Sequence, residues 1–202
     1  MRRWLGGALA IALLLLGSVW LVAGVSEPDI SLRFIGTLDR PDLGQVLHVL
    51  MRNSLVLALH AFACVAGFIA GSSLPQEAER YSGTWRWIHD HAGPLAISFV
   101  VAATSFSLVT QAYVLGQGAA SLAAQLEISP GLLLVGVLPH ALPELVALFL
   151  PLAAWMIASR RKDWHELLAA TLVTVVLALP VLVASAFVEV YVTPGLLRSL
   201  AG

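Results

Sequence analysis

Five runs of the chain, at about residues 4–25, 52–73, 93–115, 131–157 and 166–190, are apolar over the roughly 20 positions an α-helix needs to cross a bilayer core. That feature excludes most architectures. In hydrocarbon every backbone amide and carbonyl must be satisfied within the protein, so a chain built of such runs folds as a bundle of transmembrane helices. Composition agrees, with 59% of the 202 residues hydrophobic, 11% charged and a mean hydropathy of +0.88. The spans leave no room for a soluble catalytic domain, and residues 1–202 read as one integral membrane domain. The expected fold is all-α: about five transmembrane helices, short interfacial helices between them, and one helix broken by prolines.

A net charge of −1 without a basic stripe argues against a nucleic-acid partner. The single cysteine, Cys64, lies within a span, so no disulfide framework exists within one chain; it reads as a small core residue. Arg2, Arg3 and Trp4 before an apolar run also resemble the start of a signal peptide. The run is long for a signal and "LVAGVSEPD" is a weak cleavage site, so this segment reads as a retained span.

Five spans alternate the loops between two sides. With the N-terminus cytoplasmic, the inner side receives Arg2, Arg3, Arg80, Arg86, Arg160, Arg161 and Lys162, and the outer side Arg33, Arg40, Arg52 and Arg198. The positive-inside rule favours that orientation, in a cell membrane crossed several times. Trp4, Trp85, Trp87, Trp155 and Trp164 then fall near the inner interface, and Trp20, Tyr113 and Tyr191 near the outer one. Pro41 and Asp42 can start a short interfacial helix with Leu43, Val46, Leu47 and Leu50 on one face. The loops "PQEAERYSGTWRWIHDHAGP" and "GQGAASLAAQLEISPG" read as interfacial segments. His48, His89, His91 and His165 read as solvated or interfacial residues. In the second span Ala63, Gly67 and Gly71 recur every four residues, a spacing that lets another helix approach closely, from this chain or from a second copy.

Of the twelve acidic residues only Glu144 and Glu189 fall inside spans, and no Lys or Arg does. A charged carboxylate there costs about 2.5 kcal/mol or more, so both are expected to be protonated or paired. The partners within the spans are His60 and His140. At a rise of ~1.5 Å per residue, His60 and His140 come to about 12 and 13 Å below the same surface, with Glu144 one turn deeper on the face of His140. Glu189 lies within a turn or two of the end of the last span. Four titratable groups from three helices therefore converge on one expected pocket, with Asn53, Ser54, Gln111 and Tyr113 as its rim. Pro139, Pro143 and Pro151 remove amide donors in the same segment. Irregular backbone at that depth lines a cavity or is buried by protein.

These residues also carry a resemblance. "LPHALPELVALFLPLAA", followed some forty residues later by "ASAFVEVYVTP", is similar to the stage II sporulation protein M family over roughly residues 50–195. That family's Pro-His-Gly-x-x-Glu pattern matches Pro139, His140 and Glu144, and its C-terminal Glu and Thr-Pro match Glu189, Thr193 and Pro194. Asn53 resembles an Asn at the head of the second span, and "TQAYVLG" an Asn-Gly-x-x-x-Gly segment. Ala141 stands where the family has Gly, and Gln111 where it has Asn. The resemblance implies a multi-span protein of the bacterial cell envelope; the founding member acts in endospore engulfment as a membrane partner of peptidoglycan-degrading proteins.

Three functions follow as expectations. The first is a membrane scaffold or accessory subunit of an envelope-related complex, working with a membrane protein partner or as a homo-oligomer in the lipid bilayer. The second is a proton- or cation-coupled transporter or channel using His60, His140, Glu144 and Glu189. The third is an intramembrane metalloenzyme with a transition metal on those same four residues. No cofactor is otherwise expected and no catalytic residue is assigned. The zinc-protease His-Glu-x-x-His signature is missing, and the serines of "AGSSL" lack a nucleophile elbow.

Overall fold

The computed structural model describes residues 1–32 and 41–202. Arg33 and Arg40, counted above on the outer side, lie outside the described residues. The elements are α1 (Arg2–Val25), α2 (Leu43–Phe68), α3 (Leu74–Ala78), α4 (Gly83–Gln125), α5 (Pro130–Arg161), α6 (Glu166–Phe187) and α7 (Thr193–Ala201). A π-helical turn joins α2 to α3 at Ile69–Ser73, and a second joins α6 to α7 at Val188–Val192. Five continuous helical rods result, each long and apolar enough to cross a membrane: Arg2–Val25, Leu43–Ala78, Gly83–Gln125, Pro130–Arg161 and Glu166–Ala201.

The rods extend well beyond the apolar runs. Asp42 caps α2 by accepting from the Gly44 amide, and no break separates that cap from the span. The short interfacial helix expected there is the first part of α2 itself. Its inward residues are Val46 and Val49, while Leu43 and Leu47 face outward, so the four residues expected on one face divide between two. All of "TWRWIHDHAGP" is likewise helical, as the start of α4. At α5, Ser129 accepts from the Leu132 amide with Pro130 in the first turn, and Lys162 ends the helix in the left-handed region with Arg160 and Arg161 before it. Pro139, Pro143 and Pro151 sit inside this helix; each leaves the carbonyl four residues back without its amide, but the helix runs on through them.

Both π turns end two residues before a proline. Leu74 N–H bonds to the Ile69 carbonyl ahead of Pro75, and Thr193 N–H bonds to the Val188 carbonyl ahead of Pro194. A proline supplies no amide to the turn behind it, and each helix accommodates this by taking one extra residue into that turn.

The centre of the bundle is α5. On one side it meets α1, where Ala8, Ala12, Leu15 and Val19 pack with Phe149, Leu152 and Ala153. A Cβ on Gly7 would lie 3.2 Å from that of Ala153, so small residues set the spacing of these two rods. On the other side α5 meets α2 and α6. The glycines of the Ala63, Gly67 and Gly71 stripe meet indole rings of this same chain: a Cβ on Gly67 would fall 2.4 Å from Trp155 Nε1, and one on Gly71 would fall 2.1 Å from the Trp164 ring. Trp155, expected at the interface, is buried at 5% exposure in the core.

Candidate functional site

α2 and α5 run in the same direction with a regular register. Asn53 lies beside Glu144, His60 meets Leu148, Cys64 meets Pro151 and Gly67 meets Trp155. The inward face of α2 reads Val46, Val49, Asn53, Leu57, His60, Cys64 and Gly67, all buried at steps of three and four. Because α2 begins at Leu43 and not near Arg52, His60 sits deeper than an apolar run starting at 52 implies. It reaches Leu148, one turn beyond Glu144.

That register divides the expected set of four. His60 does not line the polar cavity. Its Nδ1 bonds to the Leu148 carbonyl at 2.9 Å and its ring tilts against Phe149 at 5.6 Å. Cys64 donates to the Pro151 carbonyl at 3.2 Å. α2 thus adds side-chain bonds to the Leu148 and Pro151 carbonyls of α5, which fasten the two helices together, and both residues are committed to structure.

The other three come together in a cavity of about 840 Å³ at the end of the bundle where α2 and α5 begin. His140 and Glu144 of α5, Glu189 of the π turn, Thr193 and Pro194 of α7, and His48 and Arg52 of α2 line it, with Leu15, Leu16 and Val19 of α1 opposite. The π turn sets Thr193 against His140, whose Nδ1 lies 2.8 Å from the Thr193 hydroxyl oxygen. The hydroxyl donates onward to the Val188 carbonyl at 3.2 Å, so the network is satisfied when the proton of a neutral His140 is on Nδ1, leaving Nε2 as an acceptor. Beyond them Leu197 packs where a Cβ on Gly136 would be 2.6 Å from its Cδ2.

The basic group missing from the sequence reading is Arg52. Its guanidinium lies 3.8 Å from Glu189 Oε1, and its Nε is 3.5 Å from Asn53 Oδ1. At 57% and 27% side-chain exposure the Arg52–Glu189 pair is partly solvated. The other Glu189 oxygen, Glu144 Oε2 and Asn53 Nδ2 are buried without a hydrogen-bond partner. Asn53, 3% exposed, lies beside the Glu144 carboxyl without meeting it at hydrogen-bonding geometry. One oxygen of each glutamate and the adjacent Asn53 amide are thus buried together without a well-formed hydrogen bond, an unusual concentration for buried groups.

Several expected rim residues lie elsewhere. Gln111 bonds to Ser107 on α4, Tyr113 is exposed and accepts from Gln117, and Pro139 and Ser54 face outward. Among the described residues no three of His, Cys, Asp and Glu come together as a metal-binding group, and His60 is turned away from the other three residues expected to hold one.

Below Glu144 the bundle closes. Leu57, Ala147, Leu148, Ala178 and Leu182 pack together, and every residue of α5 from 147 to 155 is buried. The cavity is therefore blind on that side.

These features define a class: a multi-pass helical membrane protein with a polar cavity built into one end of its bundle. The family model described as Stage II sporulation protein M matches residues 92–194, from the early part of α4 to Pro194, and the chain belongs to that family. The match includes Pro139, His140, Glu144, Glu189, Thr193 and Pro194; Asn53 and Arg52 precede it. No curated protein and no solved structure matches the chain.

Proposed function

We propose that this protein is an accessory membrane subunit whose blind cavity receives a polar, hydrogen-bond-donating group of a membrane partner. The observation that carries this reading is the set of unpartnered acceptors, Glu144 Oε2 and Glu189 Oε2, in a cavity with a packed floor. A partner bringing donors satisfies those oxygens and fills the space, while the packed stretch of α5 from 147 to 155 leaves no continuation of the cavity directly below Glu144. The excess of Arg and Lys at the opposite end supports a cytoplasmic N-terminus, which turns the cavity toward the outer face and the envelope.

Photo-crosslinkers placed at His48 and Leu197, on the cavity wall, are expected to capture a discrete protein adduct in native membranes. Crosslinkers at Phe106 and Val109, exposed on α4, are expected to capture none. Glu144→Gln together with Glu189→Gln should abolish the adduct while the protein still accumulates. Adducts of equal yield from all four positions would overturn docking. The clustering of His140, Glu144 and Glu189 favours transport as a second reading. Proton or cation flux in proteoliposomes, lost on Glu144→Gln, would put transport in place of docking.

A further inference from the structure

A second cavity, largely apolar, adjoins the polar one at Leu15 and extends from there beneath α4. α4 rests on the rest of the bundle at two close contacts. Toward its start, a Cβ on Gly93 would come within 2.6 Å of the Ala70 carbonyl oxygen; toward its end, one on Gly116 would come within 2.5 Å of the Val22 side chain on α1. Between these contacts α4 stands away from α5, and a cleft of about 830 Å³ opens beneath it. Its walls include Ile11 and Leu15 of α1, Ile97 and Leu108 of α4, and Leu152 and Met156 of α5.

The apolar lining ends at Ser159 and Arg160, where α5 reaches the basic end of the bundle. Ser159 Oγ is buried without a hydrogen-bond partner. Among the described residues Arg160 makes no ion pair; the three observed pairs use Arg52, Arg80 and Arg86.

Water has little to bond in such a cleft, and the volume lies within the ~300–1,000 Å³ of small-molecule sites. The part of α4 above it, residues 97–113, is roughly 24 Å of helix, long enough to cover an extended acyl chain. A helix of a second copy, about 10–12 Å across, is kept from lying along the cleft because α4 closes on the bundle at both ends. A flexible chain is not. The cation and the open hydroxyl sit together at one end, complementary to a phosphate. We propose that the cleft holds one anionic phospholipid, an acyl chain beneath α4 and its phosphate on the Arg160 guanidinium and the Ser159 hydroxyl. This site is independent of the cavity around Glu144.

The test is native mass spectrometry of the intact protein released from nanodiscs of phosphatidylglycerol or of phosphatidylcholine, with the affinity of the retained lipid read by titration. One phosphatidylglycerol per chain is expected to remain and phosphatidylcholine is not. Arg160→Ala should weaken retention at least about tenfold, the size of a lost hydrogen-bonded charge contact. Ser159→Ala should weaken it less, and Arg161→Ala, outside the cleft, should leave it unchanged. Ser105→Phe fills the cleft without altering charge and should expel the lipid as well. Equal loss with Arg160→Ala and Arg161→Ala would show diffuse surface attraction and overturn the site. So would retention that survives both Arg160→Ala and Ser105→Phe, or a dimer that forms in place of bound lipid.

Discussion

α5 meets two histidines, each 9% exposed, and they do different things. His140 touches a hydroxyl across a cavity that also holds Glu144, Glu189 and Arg52. His60 bonds to a backbone carbonyl in a packed seam and lies against Phe149. Burial and residue type are the same, so neither marks a site. What separates them is their neighbours: His140 lines a cavity with Glu144 and Glu189, whereas His60 meets a backbone carbonyl and the Phe149 ring and lines no polar cavity. A titratable residue inside a membrane is therefore as readily a fastener between two helices as a functional group.

That contrast can be tested from both sides. Phe149→Ala opens the packed seam at its most buried large side chain and should cost about 3–5 kcal/mol, measured by reversible unfolding in mixed micelles. His60→Leu keeps the bulk but removes the side-chain hydrogen bond to the Leu148 carbonyl, with an expected loss of about 1 kcal/mol and no change in crosslinking from the polar cavity. If it instead removed the crosslink at His48, the two histidines would belong to one site and the contrast would fail. Thr193→Val should cost about 1 kcal/mol, and a double-mutant cycle with His140→Leu should show coupling of similar size, since the two share a hydrogen bond. The smallest effect is expected at the rim. Glu189→Gln breaks the partly solvated pair with Arg52 and should change stability by less than about 1 kcal/mol, with the difference shrinking as salt is added.

The five rods and their order were legible because hydrocarbon leaves the chain no alternative, and Glu144, His140 and Glu189 stood out as isolated polar residues in apolar runs. The ends of the rods were not legible from apolarity. Residues 43–51 contain Gln45 and His48, and 83–92 contain Arg86, Asp90 and two histidines, yet they continue the helices past the apolar stretch. Placing the start of α2 near Arg52 shifted His60 by nine residues of helix, roughly 13 Å, and assigned it to the wrong level. The same shift put Arg52 in a loop and hid the cation nearest to Glu189. A signal existed: the inward series Val46, Val49, Asn53, Leu57 and His60 crosses position 52 without changing period. Gln111 and Tyr113 were misplaced for another reason. Depth along a rod does not fix which way a side chain faces, and α4 packs mainly against α1 and the α2–α3 turn.

The extra residue in the Val188–Val192 turn makes the site depend on counting. One residue turns a helix by about 100°, so inserting one re-aims everything that follows. Thr193 faces His140, and Leu197 sits over Gly136, only with that residue in place. Deleting a single valine from "VEVYV" would leave hydropathy almost untouched and still yield a long apolar helix, but one whose last two turns point Thr193 and Leu197 at lipid. In this chain the Glu189-to-Thr193 segment thus specifies a length as much as a set of side chains: its spacing works as a gear ratio between α6 and α7.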